Sequence, residues 1–259
     1  MDSSKEFKGK VAFVTGASSG IGRAAAVLFA KAGARVCIVA RREKELRETE
    51  DQILRLGGEA ERLTGDVTDE GFDREAVAQS VRRFGGIDVL VNAAGIIASG
   101  SLADTSTELF DRMMNVNVRS VFFLMREAKA ALVERKGSIV NISSVAGTRA
   151  FPNVFAYVTS KAAVNAMTQC AALDLAPYGV RVNALNPGVV VTHLHRAGGM
   201  TEEAYEKFLE HSKTTHPLGR TGSPEEIAEA ILFLAGPRSG WITGETIAID
   251  GGRHLTCAR

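Results

Sequence analysis

Cysteine, tryptophan and proline are scarce in this chain, at 3, 1 and 6 of its 259 residues. The cysteines, Cys37, Cys170 and Cys257, are odd in number, far apart and free of any CxxC pair. That pattern speaks against a disulfide framework and for reduced thiols, with Cys37 and Cys170 expected to serve as small packing residues. An excess of one charge is also missing: 31 basic and 30 acidic residues leave a net charge of +1. The charges are interspersed, so there is no basic footprint for nucleic acid and no patch for a membrane surface. No apolar run approaches the roughly 18 residues of a membrane span. The N-terminal "MDSSKEFKGK" has no apolar segment of a secretory signal, and the final "CAR" resembles no targeting tripeptide. A soluble, cytoplasmic protein that acts on small molecules is the expectation.

What is present is an apolar fraction of 45%, enough to build a large core without metal or disulfide. Short apolar stretches rich in β-branched residues, "VAFVTG", "ARVCIVA", "EAERLTGDV", "IDVLVNAAG", "GSIVNISS", "VRVNALNPG" and "ETIAIDGG", alternate with longer helical patterns. Such alternation predicts right-handed βαβ units. The expected fold is α/β: one Rossmann-type, doubly wound domain over residues 1–259, with a seven-stranded, mostly parallel sheet and helices on both faces. Helix caps are legible in "SPEEIAEAILFLAG", with Ser223 as N-cap, Pro224 at the first helical position, Glu226 completing a capping box and Gly236 past the end. A second capping box is expected from Thr105 to Glu108. The longest stretch without a strand, about 191–221, carries Met200, Tyr205, Phe208 and Leu209 near helical spacing, and reads as a lid inserted after a strand.

"VAFVTGASSGIGRAAAVLFAKAG" reads as strand, glycine-rich turn and helix. Gly16, Gly20 and Gly22 allow a tight turn and close backbone approach, and the helix start offers free N–H groups to a pyrophosphate. Residues 8–95 are therefore expected to form a dinucleotide-binding half and residues 96–259 a catalytic half. Asp66, ending the third strand with Val67, either accepts from an adenine amino group or caps the helix that begins near Thr68. The second strand ends in Ala40-Arg41-Arg42, without the acidic residue that holds a ribose 2′-hydroxyl. Arginine suits a 2′-phosphate, so NADP(H) is expected over NAD(H).

Together these motifs resemble the short-chain dehydrogenase/reductase family over nearly the whole chain. "TGASSGIG", from Thr15 to Gly22, fits its cofactor turn through Gly16, Ser18, Ser19, Gly20, Ile21 and Gly22. "NAAG" fits its fourth-strand motif at Asn92, Ala93, Ala94 and Gly95, although Ala93 replaces a common asparagine. Asn117 in "NVNV", Ser144 ending "NISS", Tyr157 and Lys161 in "YVTSK", and Pro187, Gly188, Val190 and Thr192 in "NPGVVVT" follow in the family's order. Ser19 stands where many NADP-preferring members have a basic residue. The nearest relatives in look are 3-oxoacyl-carrier-protein reductases and small-carbonyl reductases. The resemblance implies that Tyr157 is an acid/base and that Lys161 also holds the nicotinamide ribose. It further implies that Ser144 binds the substrate oxygen, Asn117 holds a relay water, Thr192 and the backbone near Val190 hold the carboxamide, and the chain forms homotetramers or homodimers through helices near 106–135 and 155–178.

Tyr157 and Lys161 lie four residues apart and so share one helix face. An ammonium ~4 Å from the phenol, at an effective dielectric of ~20, is worth roughly 4 kcal/mol, enough to bring a phenol of pKa ~10 toward neutrality before desolvation is counted. The expected reaction interconverts a carbonyl and an alcohol by hydride transfer. Ile96, Ile97, Val145, Phe151 and Val154 are expected to wall the substrate site, which favours a neutral, moderately apolar substrate. Arg135 and Lys136 leave an acidic carrier protein open as a partner. His193 and His195 lack accompanying ligands, so no metal is expected, and they are placed at the substrate entrance or in solvent. An NAD-linked alcohol, polyol or steroid dehydrogenase, and a scaffold that has lost catalysis, stand as alternatives.

Overall fold

The structure, a computed structural model, describes residues 6–256. Seven strands alternate with helices: β1 (Val11–Thr15), β2 (Arg35–Ala40), β3 (Glu59–Thr64), β4 (Val89–Asn92), β5 (Ser138–Ile142), β6 (Arg181–Pro187) and β7 (Thr246–Ile249). They form one sheet in the order β3-β2-β1-β4-β5-β6-β7. Every pairing is parallel, so the expected mostly parallel sheet is wholly so.

Side-chain alternation along the strands produces the two covered faces. Ala12 and Val14 of β1 point into a core completed by α1 (Gly20–Lys31), α2 (Glu43–Arg55) and α9 (Pro224–Ala235), where Phe29, Leu46, Ile53 and Ile231 are buried. Val11 and Phe13 point the other way, against α3 (Glu70–Phe84), α5 (Ser120–Arg135) and α6 (Phe155–Leu175), whose Val77, Leu124, Leu132 and Leu175 are buried there. Because β1 lies between β2 and β4, the chain leaves β1 in one direction and returns on its other side. A crevice opens at that switch point, at the C-terminal ends of the strands.

α9 starts as its sequence predicts: Ser223 Oγ accepts from Glu226 N–H at 3.3 Å, and Glu226 Oε2 accepts from Ser223 N–H at 2.9 Å. Its last carbonyls, at Leu234, Ala235 and the following Gly236, accept from the Arg181 guanidinium at 2.7, 3.2 and 3.0 Å. With the Ser138 and Ser239 hydroxyls, which donate to the same oxygens, that side chain satisfies the free carbonyls of the helix end. At α4 (Thr107–Met114) the cap is Ser106, one residue later than expected, with its hydroxyl accepting from Leu109 N–H at 3.2 Å. Thr105 instead turns back to donate to the Ser101 carbonyl at 2.7 Å.

Cys37 is buried beneath α3, donates to Ser80 Oγ at 3.0 Å, and burial pushes its thiol up to about 12. Cys170 does not pack as expected: α6 turns Asn165, Thr168 and Ala172 inward and leaves Cys170 exposed. Cys257 and the terminal stretches read for targeting signals, residues 1–5 and 257–259, lie outside the described residues. Among the described residues no helix is long and apolar enough to cross a membrane.

Candidate active site

The β1–α1 turn can be made only with glycine at two points. Gly16 has φ of +67°, and a Cβ there would lie 2.7 Å from the Ala93 carbonyl oxygen. At Gly22 a Cβ would lie 2.5 Å from the Gly16 oxygen. Thr15 Oγ1 accepts from Ala93 N–H and Ala94 N–H, both at 3.1 Å, and so locks this turn to the end of β4. Ser19, the N-cap of α1, makes no side-chain cap bond, so the first N–H groups of the helix face the crevice unclaimed by it.

One cleft of about 640 Å³ runs along the crevice. The first part of the chain lines it with Gly16, Ser18, Ser19, Gly20, Ile21, Gly22, Arg41, Arg42, Asp66, Val67, Ala93, Ala94 and Gly95. The second part adds Ile97, Ser144, Phe151, Val154, Tyr157, Lys161, Pro187, Gly188, Val190 and Thr192, together with Ile96 and Val145. Asn92 and Asn117 lie behind this surface. Asn92 Nδ2 donates to Asn141 Oδ1 at 2.9 Å. Asn117 sits in a π-helical turn, Asn115–Arg119, and its amide is fully engaged: Oδ1 accepts from Ile96 N–H at 2.8 Å, while Nδ2 donates to the Ile96 carbonyl and Ser160 Oγ, both at 3.0 Å. Its side chain therefore braces the β4 loop and does not reach the cleft.

At the nucleotide end, Arg42 Nη2 donates to Ser18 Oγ and Ser19 Oγ at 3.1 and 2.6 Å. Arg41 turns toward β3, with Nη1 3.4 Å from Asp66 Oδ2. Asp66 neither caps α3 nor leaves both oxygens free: Asp69 is the cap, and Asp66 Oδ1 accepts from Thr68 N–H and Oγ1 at 3.0 and 2.9 Å. Burial would raise its carboxyl, but the Thr68 bonds and Arg41 outweigh burial and hold it below the usual carboxylate range.

α6 places Tyr157 and Lys161 on its buried face, with the ammonium over the phenol ring. Lys161 Nζ is 5.8 Å from the Tyr157 ring centroid and donates to the Ile142 carbonyl at 2.9 Å. Burial brings the ammonium down to about 8. Burial also holds the Tyr157 phenol above its ordinary value, with the Ser144 hydroxyl acting in the opposite sense. The lowered phenol expected from Lys161 thus gives way to desolvation in this arrangement. Ser144 opens a 3₁₀ turn, Val145–Gly147, its hydroxyl accepting from Ala146 N–H at 3.1 Å.

The stretch 191–221 covers the cleft with α7 (Leu194–Ala197) and α8 (Glu202–Thr215). Its neck is pinned by Val191 N–H to the Gly222 carbonyl at 3.1 Å and Gly222 N–H to the Val189 carbonyl at 2.9 Å. Tyr205 is buried and donates to the Thr192 carbonyl at 3.1 Å. His193 and His195 both line the cleft, and His195 packs on Phe208 with ring centroids 4.6 Å apart. Three residues the sequence did not single out also matter here. Arg112 and Arg253 line the substrate side, and His216 Nε2 accepts from Val189 N–H at 3.1 Å. For Arg253 the signal was its place directly after "DGG"; for His216 there was none.

A phosphate-binding turn and a buried phenol–ammonium pair in one cleft, at the switch point of a parallel sheet, define a class: nicotinamide-dependent oxidoreductases that act on CH–OH and C=O groups. Within that class the chain belongs to the short-chain dehydrogenase/reductase family. Residues 16–254 match the family model described as enoyl-(acyl carrier protein) reductase. An uncharacterized oxidoreductase of Thermotoga maritima is 42% identical over 247 residues, covering 95% of this chain and 98% of that protein. A 3-oxoacyl-acyl-carrier-protein reductase from the same organism is 41% identical, covering 95% and 98%. A Caenorhabditis elegans short-chain dehydrogenase/reductase of unknown function, crystallised with cofactor, superposes with a TM-score of 0.92 at 37% identity and covers 98% of each chain.

Proposed function

We propose that this enzyme prefers NADP(H) and interconverts a ketone or aldehyde with the corresponding alcohol, as a carbonyl or 3-oxoacyl reductase. The observation that carries the reading is the end of β2: positions 41 and 42 after Ala40 are arginines with no carboxylate between, and the Arg42 guanidinium, 3.5 Å from Glu45 on one side, is directed onto the hydroxyls of Ser18 and Ser19 on the other. A phosphate at that point would replace solvent around three ready donors. The cleft fits a dinucleotide in two further respects, the glycine positions that a Cβ would fill and the open start of α1.

When bound, the nicotinamide supplies or accepts the hydride. Tyr157 gives its phenolic proton to the carbonyl oxygen during reduction and takes it back during oxidation. Ser144 donates to the same oxygen as charge develops there. Lys161 holds the nicotinamide ribose and supplies positive charge beside the phenol. Thr192, Val190, Pro187 and Gly188 hold the carboxamide side, and Asn117 keeps the Gly95–Ile97 loop in position. Residues 8–95 act as the nucleotide half, the rest as the catalytic half, and 191–221 as the lid.

The assembly we propose is a cytoplasmic homotetramer or homodimer. It is supported by a groove along α4, α5 and α6 in which Met114, Val118, Phe122 and Met167 are interspersed with Asp111, Arg112, Asn115 and Arg119, with Phe122 48% exposed. Sedimentation that returns a monomer mass would contradict this. Cofactor preference is tested by fluorescence titration with NADPH and NADH, followed by absorbance at 340 nm against ketones, aldehydes and acetoacetyl thioesters. Tighter NADH binding would favour the NAD-linked dehydrogenase instead.

A further inference from the structure

Charge along the cleft is uneven. Among the described residues its only carboxylate-bearing lining residue, Asp66, is at the nucleotide end, whereas the substrate side carries Arg112 and Arg253 besides Lys161. Neither arginine has a carboxylate partner among the described residues. Arg112 projects from α4, and Glu108, one turn earlier, is held by Ser106 and its own backbone N–H instead. Arg253 lies beside the apolar wall with its guanidinium carbon 5.2 Å from the Phe151 ring centroid, and Nη1 donates to the Thr215 carbonyl at 3.2 Å. The neighbouring carboxylate, Asp250, is already occupied: it accepts from Gly252 N–H at 3.0 Å, from His254 N–H at 2.7 Å and lies 2.9 Å from His254 Nδ1. A second cation, Arg149, donates to the Arg253 and His254 carbonyls, crowding positive charge on this wall. Burial and the charge of Arg149 press the Arg253 guanidinium below its ordinary value, with the Asp250 carboxylate acting in the opposite sense.

A partly buried guanidinium beside an aromatic ring, with donors left over and no described carboxylate within ion-pair distance, is suited to receive a carboxylate. We infer that the substrate is a carbonyl compound, or its alcohol, bearing a carboxylate remote from the reacting carbon, and that Arg253 binds that carboxylate. The inference rests on the oxidoreductase reading above and deepens it. It replaces the neutral substrate suggested by the wall residues Ile97, Phe151 and Val154, which fit an apolar skeleton but leave Arg253 unexplained.

The test is ligand binding to the NADPH-loaded enzyme, read by the fluorescence of the bound nucleotide, with 4-acetylbenzoate against methyl 4-acetylbenzoate and benzoate against benzamide. The acids should bind about tenfold more tightly than their neutral partners, as one charged hydrogen-bonding contact would give. In Arg253→Gln that preference should fall below about threefold, and Arg253→Lys should retain part of it. Equal binding of acid and neutral partner in the parent protein overturns the proposal, and this comparison decides even if the glutamine variant does not fold. A preference that survives Arg253→Gln also overturns it, as does binding of phosphopantetheine without binding of benzoate. Arg253-dependent binding of the acids with no NADPH oxidation by any carbonyl would leave the anion site standing and remove the carbonyl reductase reading.

Discussion

Lys161 is a charge held in the protein at the expense of stability, and replacing it should reveal by how much. Its side chain is buried, and its ammonium is brought from the ordinary 10.5 down to about 8. The gap of about 2.5 between these values corresponds to about 3 kcal/mol of destabilisation below about pH 8, where the lysine is protonated in both the folded and the unfolded chain. In Lys161→Met that term vanishes, but the Ile142 carbonyl loses its 2.9 Å donor, a loss of about 1–2 kcal/mol. At pH 7 the methionine variant should therefore be more stable by about 1–2 kcal/mol while losing activity. The sign then changes with pH. The folded lysine binds fewer protons than the unfolded one between about 8 and 10.5, so the parent gains stability as pH rises through that window. By pH 10 less than about 1 kcal/mol of the original term remains, and the variant should be the less stable of the two. Urea unfolding of the nucleotide-free proteins at pH 7, 8.5 and 10 measures the difference, in which the other titrating groups cancel. A variant that is less stable at every pH by a constant amount would refute the reasoning.

Arg42→Ala should raise KM for NADPH by about tenfold or more while changing that for NADH by much less, because charged hydrogen bonds of this kind contribute about 1.5–3 kcal/mol; Arg41→Ala should act more weakly, since Arg41 is turned to Asp66. Initial rates with both nucleotides check this, and equal effects of Arg42→Ala on the two would discredit Arg42 as the phosphate anchor. Arg181→Ala should destabilise the fold by about 1–2 kcal/mol, the loss of the guanidinium's bonds to carbonyls that keep the Ser138 and Ser239 hydroxyls as donors. A urea midpoint close to the parent's would show that the α9 carbonyls need no such partner.

The fold was legible because its signals are local and repeated. β-branched runs at even spacing, glycines where Gly16 and Gly22 admit no Cβ, and the Ser223–Glu226 box each say the same thing about the chain. The site was legible as a set of residues but less so as a geometry. Tyr157 and Lys161 share a face, as the spacing requires, yet the ammonium is held by the backbone carbonyl of Ile142 on another element, a contact that no side-chain pattern announces. Asn117 stands in the family's register, while the bonds that saturate its amide come from the backbone of Ile96 and from Ser160. The capping error at Thr105 was a shift of one hydroxyl, which sequence alone does not resolve when Thr105 and Ser106 are adjacent. Burial of charge was the least visible: Asp73 is buried with both oxygens unpaired and its carboxyl pushed up to about 8, and Arg253 becomes a feature of the cleft only once the chain end folds back over Phe151.

The central claim is that a buried phenol performs proton transfer for a nicotinamide-linked reaction in this cleft. Tyr157→Phe removes one oxygen and leaves in place Ser18, Ser19, Arg42 and Lys161, the proposed nucleotide contacts. The direct measurement compares parent and variant for NADPH affinity and for alcohol formed per NADPH consumed, with a carbonyl substrate turned over by the parent. The account predicts similar affinity in both, one alcohol per nucleotide in the parent, and a rate lowered at least about a hundredfold in the variant. Turnover by the phenylalanine variant at close to the parent rate would contradict it.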